Sequence, residues 1–111
     1  IINGLNENKK LKSIGFEFSK IKDTAASYIK EMLINNKCLE ELNLSNNLLL
    51  DSGFKLICEG LIKNEYLNVL GMRKNELTSQ SIEYLNLILQ LNDSLQYIYL
   101  CDNNIDNERI N

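Results

Sequence analysis

Apolar residues return along this chain at a fixed interval. The segments LKSIGFEFSKI (11–21), LEELNLSNNLL (39–49), LNVLGMRKNEL (67–77) and LQYIYLCDNNI (95–105) start 28 residues apart, with no insertion between them. Each has an apolar residue at offsets 0, 3, 5 and 10 from its start: Leu11, Ile14, Phe16, Ile21; Leu39, Leu42, Leu44, Leu49; Leu67, Leu70, Met72, Leu77; and Leu95, Ile98, Leu100, Ile105. Offset 8 is Ser19, then Asn47, Asn75 and Asn103. Alternation at offsets 3 and 5 predicts a short half-buried strand. The second half of each block changes period. Ile29 and Leu33, Ile57 and Leu61, and Leu85 and Leu89 occupy offsets 18 and 22. With offsets 17 and 21 they form the i, i+3, i+4 stripe of a helix of about twelve residues.

Punctuation repeats as well. Asp23, Asp51 and Ser79 at offset 12 are suited to N-capping. Ala25, Gly53 and Ser81 keep offset 14 small. Asn36, Asn64 and Asn92 at offset 25 suggest left-handed helix stops, because Asn tolerates that conformation. The pattern predicts an α/β array of parallel strands with helices returning the chain outside them. No unit can bury its apolar face alone; its neighbours must do so. At offset 8 the Asn side chain is expected to turn inward and satisfy the backbone after the strand. Ser19 is too short for that, so the first bend should be looser.

The pattern L-x-x-L-x-L-x-x-N-x-L is the leucine-rich repeat signature. With 28 residues per unit and a full helix, the chain resembles the ribonuclease-inhibitor-like class of these repeats over essentially its whole length. That resemblance implies an α/β leucine-rich repeat solenoid, a horseshoe segment with parallel strands on its concave face and helices on its convex face. The class includes ribonuclease inhibitors, Ran GTPase-activating proteins, tropomodulin-like actin cappers and sensor domains of nucleotide-binding innate receptors. It implies protein binding on the inner face and does not name the partner.

Residues 11–38, 39–66 and 67–94 are read as full repeats, 95–111 as a partial repeat, and 1–10 as the end of a preceding one. IINGLNENKKL (1–11) aligns with ICEGLIKNEYL (57–67), placing Ile1 at offset 18, Leu5 at 22 and Asn8 at 25. Residue 111 falls before another helix could form, and Arg109 occupies the small-residue offset. Both ends are therefore expected to expose core, and the intact protein to be longer.

Offsets 2, 4 and 6 point out of the strand face and are not needed by the fold, so their chemistry is free for binding. The candidate partner-binding residues are Glu41, Asn43, Val69, Arg73, Tyr97 and Tyr99. Aromatic residues and Arg are frequent interface anchors, which makes Tyr97, Tyr99 and Arg73 a candidate hot spot. Strand propensity alone also accounts for two tyrosines there. Gly71 leaves space for Tyr99 or for a partner side chain. Phe18 at offset 7 is expected to fold back over the bend, and Lys74 and Asp102 at the same offset to pair across strands. Leu87 and Leu91 lie four apart where other units place Glu31 and Glu59, and Asn35 and Lys63. They are read as a convex contact, serving a dimer or a flanking segment; rotation of the last helix would instead bury them.

Catalysis finds little support. The chain has no His, which removes the commonest general base and metal ligand. Phosphate-loop and nucleophile-elbow motifs are absent, and Glu40 and Glu41, being adjacent, point to opposite sides of a strand. No cofactor or metal is expected. A net charge of −3 with scattered Lys and Arg gives no drive toward nucleic acid or an anionic membrane. No apolar stretch approaches the ~20 residues of a membrane span. The odd count of three cysteines, Cys38, Cys58 and Cys101, fits free thiols in an intracellular, cytoplasmic setting. The N-x-S sequons at Asn43 and Asn92 are read as chance in an Asn-rich chain. The function expected is a protein–protein interaction module; self-association through uncapped ends or Leu87 and Leu91 is a further route to partners. The alternatives are a regulator of a partner enzyme, such as a Ran-type GTPase-activating protein, and spacer repeats in a longer scaffold.

Overall fold

In the computed structural model the described residues are 4, 10–17 and 22–105. Four three-residue strands, β1 (Ser13–Gly15), β2 (Glu41–Asn43), β3 (Val69–Gly71) and β4 (Tyr97–Tyr99), form one parallel sheet in the order β1-β2-β3-β4. Its register keeps the sequence interval: Ser13 pairs with Glu41, Glu41 with Val69, and Val69 with Tyr97. Between strands run the helices α1 (Asp23–Asn35), α2 (Leu50–Ile62) and α3 (Ile82–Leu91), the last preceded by a 3-10 turn at Ser79–Ser81. The chain is thus an α/β fold of repeated strand–helix units.

The core lies between sheet and helices. Leu39, Leu42, Leu44 and Leu49 are buried, as are Leu67, Leu70, Met72 and Leu77. The same offsets in the outer units are less covered: Leu11 is 37% exposed, and Ile14, Phe16, Leu95, Ile98 and Leu100 are half-buried. Each outer unit has a described neighbour on one side only. Helix faces follow the predicted stripe through Ile29, Met32 and Leu33 in α1 and through Ile57, Gly60 and Leu61 in α2, but Tyr28, expected on it at offset 17, is 47% exposed, and Ala26 and Phe54 join the buried face. Leu89, expected on that stripe, is instead 72% exposed. Offset 22 points toward the helix of the following unit, and among the described residues no helix comes after α3.

The offset-8 asparagines turn inward as expected. Asn47 Nδ2 donates to the carbonyls of Phe16 at 3.0 Å and Leu44 at 2.9 Å. Asn75 Nδ2 donates to Leu44 and Arg73, and Asn103 Nδ2 to Met72 and Leu100. Asn103 Oδ1 accepts from Asn75 N at 2.8 Å and Leu77 N at 3.0 Å. Each side chain thereby links its own bend to the bend before it. Ser19, Ile21 and Phe18 lie outside the described residues, as do Ile1, Leu5, Asn8 and Arg109.

The offset-25 asparagines are not left-handed stops. Asn36 (φ −77°, ψ 131°) and Asn92 (φ −112°, ψ 123°) are extended. They form a second ladder at the far end of the units. Asn64 Nδ2 donates to Leu33 O at 2.9 Å and Asn36 O at 3.4 Å, while its Oδ1 accepts from Tyr66 N at 2.9 Å and Leu67 N at 2.8 Å. Asn92 repeats this with Leu61 O, Asn64 O, Ser94 N and Leu95 N. Left-handed backbone falls elsewhere, at Asn46, Lys74 and Asp102 (offset 7) and at Leu50 and Glu76.

The N-caps also differ from expectation. Helix α1 opens at Asp23 itself, after Lys22, and α2 opens at Leu50, one residue before Asp51. Thr78, not Ser79, caps the turn before α3, accepting from Gln80 N. The Asp51 carboxylate reaches across to the next unit, where it accepts from Thr78 N (2.9 Å), Thr78 Oγ1 (2.5 Å) and the Ser81 hydroxyl. Burial raises the Asp51 pKa, but hydrogen bonds from Ser81 and Thr78 outweigh it and hold the carboxyl below its usual value. A depressed carboxyl contributes stability above its unfolded pKa and loses it as pH falls through the folded value. Asp51→Ala is therefore expected to cost about 2 kcal/mol at neutral pH, from hydrogen bonds to a charged acceptor. The difference between variant and wild type should shrink below about pH 4, which urea titrations at pH 7 and pH 3 would measure.

Candidate functional site

The open side of the sheet carries the offset 2, 4 and 6 side chains. Tyr97 is 57% exposed and Tyr99 42%, while Glu41 and Arg73 are exposed and Asn43 and Val69 half-buried. The parallel register brings Glu41, Asn43, Val69, Tyr97 and Tyr99 onto one face, and Arg73 joins them through Tyr99. The Arg73 guanidinium lies over the Tyr99 ring, 5.1 Å from its centroid. Such stacking fixes a cation on an aromatic plane and leaves the guanidinium edge able to donate.

The space above Gly71 is already taken, by Asn43 rather than by Tyr99 or a partner. A Cβ added at Gly71 would stand 2.6 Å from Asn43 Oδ1. The Asn43 amide is held there because Oδ1 accepts from Ser45 N at 3.0 Å and Nδ2 donates to Glu17 Oε1 at 2.5 Å. Ser45 in turn is buried, and its Oγ accepts from Arg73 N at 3.1 Å. These contacts join β1, β2 and β3 across a trough of about 570 Å3 that runs from Glu17 and Glu41 to Arg73 and Tyr99. Glu17 and Ser45 belong to this site although neither is among the residues expected from the sequence. Alternation already places the offset-6 row, Glu17–Ser45–Arg73–Cys101, on this face; what the row does not reveal is the bonding of Glu17 and Ser45 to Asn43 and Arg73.

Lys74 and Asp102 lie at the far edge and do not form the expected ion pair. Both are left-handed, at φ 54° and 63°, and Lys74 is tied to the next unit through backbone, its N donating to Cys101 O. Cys101 is an exposed thiol. Cys58 is buried, and burial followed by the nearby Glu59 charge pushes its thiol strongly toward the protonated form. Among the described residues no three His, Cys, Asp or Glu side chains gather as a metal site, and no helix is long and apolar enough to cross a membrane.

On the helix side, Leu87 is 43% and Leu91 56% exposed, so α3 is not rotated to bury them. Beside them a groove of about 310 Å3, lined by Leu85, Ile88, Leu89, Leu95, Ile98 and Leu100, opens at the end of the sheet.

Fold and site together define a class of protein: a repeated α/β unit whose parallel strands present an open, side-chain-rich face. No family model and no curated protein sequence matches the chain. Among solved structures it is similar to one titled Leiomodin-1 Actin-Binding Site 2, with a TM-score of 0.84 and 17% identity, over 92% of this chain. The chain spans 60% of the length of that structure, and the likeness is one of fold.

Proposed function

We propose that this chain is a leucine-rich repeat segment of the ribonuclease-inhibitor-like class that binds a protein through its strand face and has no catalysis of its own. The observation that carries this is the exposed Tyr97 and Tyr99 pair, with Arg73 stacked on Tyr99, at positions where other units place Ser13, Gly15 and Glu17. Fold-neutral positions that carry large rigid side chains are where interface energy concentrates. The actin-binding title of the leiomodin structure supports a protein ligand and makes actin the first candidate. The odd count of three cysteines, at 38, 58 and 101, supports an intracellular setting. Regulation of a GTPase remains an analogy of fold, with no residue of this chain to carry it.

The test is co-sedimentation with filamentous actin, together with capture from native lysate, by the wild-type chain and by the Tyr97→Ala/Tyr99→Ala double variant. Loss of two anchor side chains should weaken capture roughly tenfold or more. An identical set of captured proteins at identical yield would remove the strand face from consideration.

A further inference from the structure

The strand-face trough is divided by charge. On one side stand Glu17, from the end of β1, and Glu41, from β2; on the other stand Arg73 and Lys74, just after β3, with Asp102 closing the corner beyond Lys74. Between the two acids lies Gly15, where an added Cβ would meet only Asn43 Cβ, at 3.9 Å. That leaves room for a side chain to lie between the carboxylates. Between the acids and the bases lies Ser45, small and buried. The repeat pattern does not require this division, since the same offsets hold Ser13, Val69 and Cys101 in other units.

The spacing is set by the sheet. Glu17 and Arg73 share offset 6 on strands two apart, which sets them about 9.5 Å apart along the hydrogen-bonding direction. In an extended segment of polyproline II geometry, with three residues per turn and a rise of about 3.1 Å, residues i and i+3 share one side and lie about 9.3 Å apart.

Resting on the reading of the strand face as a protein-binding surface, we propose that the trough takes an extended polypeptide segment of polyproline II geometry bearing a basic and an acidic side chain three residues apart. The basic side chain lies over Gly15 between Glu17 and Glu41. The acidic one accepts from the Arg73 guanidinium, which Tyr99 holds in place, with Lys74 beside it.

The probe is a random linear heptapeptide display library selected on the immobilised chain. Selections use the wild type, Glu17→Lys/Glu41→Lys and Arg73→Glu/Lys74→Glu. Wild type should enrich Lys or Arg three positions from Asp or Glu. The first variant should lose the basic position and the second the acidic one, and a synthetic wild-type-selected peptide should bind each roughly tenfold or more weakly. Denaturant midpoints check that the variants fold. Glu41→Lys alone, whose side-chain contact is a 3.4 Å hydrogen bond from Ser13, serves if Glu17→Lys, which also loses its bond to Asn43, disturbs the fold. Peptides that bind both reversals as well as wild type, yet fail on Tyr97→Ala/Tyr99→Ala, would overturn the charge assignment and leave the strand face as the binding surface. Peptides indifferent to all these changes would overturn both. A dimer of the chain that dissociates on charge reversal would make a second copy the occupant and also overturn the proposal.

Discussion

Asn64→Ala is expected to lower the free energy of unfolding by about 4 kcal/mol, since each buried polar group left without a partner costs roughly 1–3 kcal/mol. Asn64 is only 4% exposed, and its removal takes a hydrogen bond from each of four backbone groups: the N–H of Tyr66 and Leu67, and the C=O of Leu33 and Asn36. Entry of water would offset part of the sum. A small domain has only about 5–15 kcal/mol in total, so the variant should sit near the edge of folding. Urea titration monitored by circular dichroism measures it, a lower midpoint at unchanged slope marking lost stability. Asn64→Asp keeps both acceptor contacts and loses the donors, so its loss should be smaller. A loss below about 1 kcal/mol in Asn64→Ala would mean that this ladder does not hold the units together.

The second large effect concerns the contact between α1 and α2. A Cβ added at Gly60 would stand 3.0 Å from Lys30 O, 3.1 Å from Lys30 Cα and 3.1 Å from Leu33 Cβ. Two of those atoms are backbone and cannot swing aside, so the helices must separate. Gly60→Val is expected to cost about 3 kcal/mol, at the upper end of overpacking penalties. At roughly 4–8 °C per kcal/mol, the melting temperature should fall by more than 10 °C. Gly60→Ala carries a smaller clash, offset by about 1 kcal/mol of helix propensity. A rise in melting temperature for Gly60→Ala would show that the clash costs less than the helix propensity gained. The ion pair between Lys30 and Glu59, 2.7 Å apart, spans the same contact and depends on this closeness.

Legibility in the sequence divides along physical lines. Strand positions and register were legible because Leu42, Leu70 and Ile98 recur at one interval and a sheet has period two, so a slip by one would expose every one of them. The inward turn of Asn47, Asn75 and Asn103 was legible because a bend after a strand must satisfy its own backbone. Asn36, Asn64 and Asn92 were equally visible, but an Asn after a helix supports two outcomes, and only the neighbouring unit's carbonyls at Leu33 and Leu61 decide between them. Left-handed backbone at Lys74 and Leu50 could not be seen, since neither residue type advertises it. The exposure of Leu89 depends on which element packs beyond α3 in space, and local periodicity does not describe that. In the site, membership of the face came from alternation. The occupation of the Gly71 space by Asn43 required knowing which rotamer Glu17 and Ser45 stabilise.

Both asparagine ladders join residues at constant separations: 28 and 31 positions for the Asn64 and Asn92 donors, and 31 for the bonds from Asn47, Asn75 and Asn103 to the preceding unit. The molecule therefore contains its own ruler. Duplicating or excising one whole block of 28 would leave each surviving asparagine facing a carbonyl at the distance it already uses. A change of any other length would break the ladder bonds that span the join. Length thus becomes a quantised variable, adjustable in whole steps without redesign of the interior, while strand-face residues are free to differ from one step to the next.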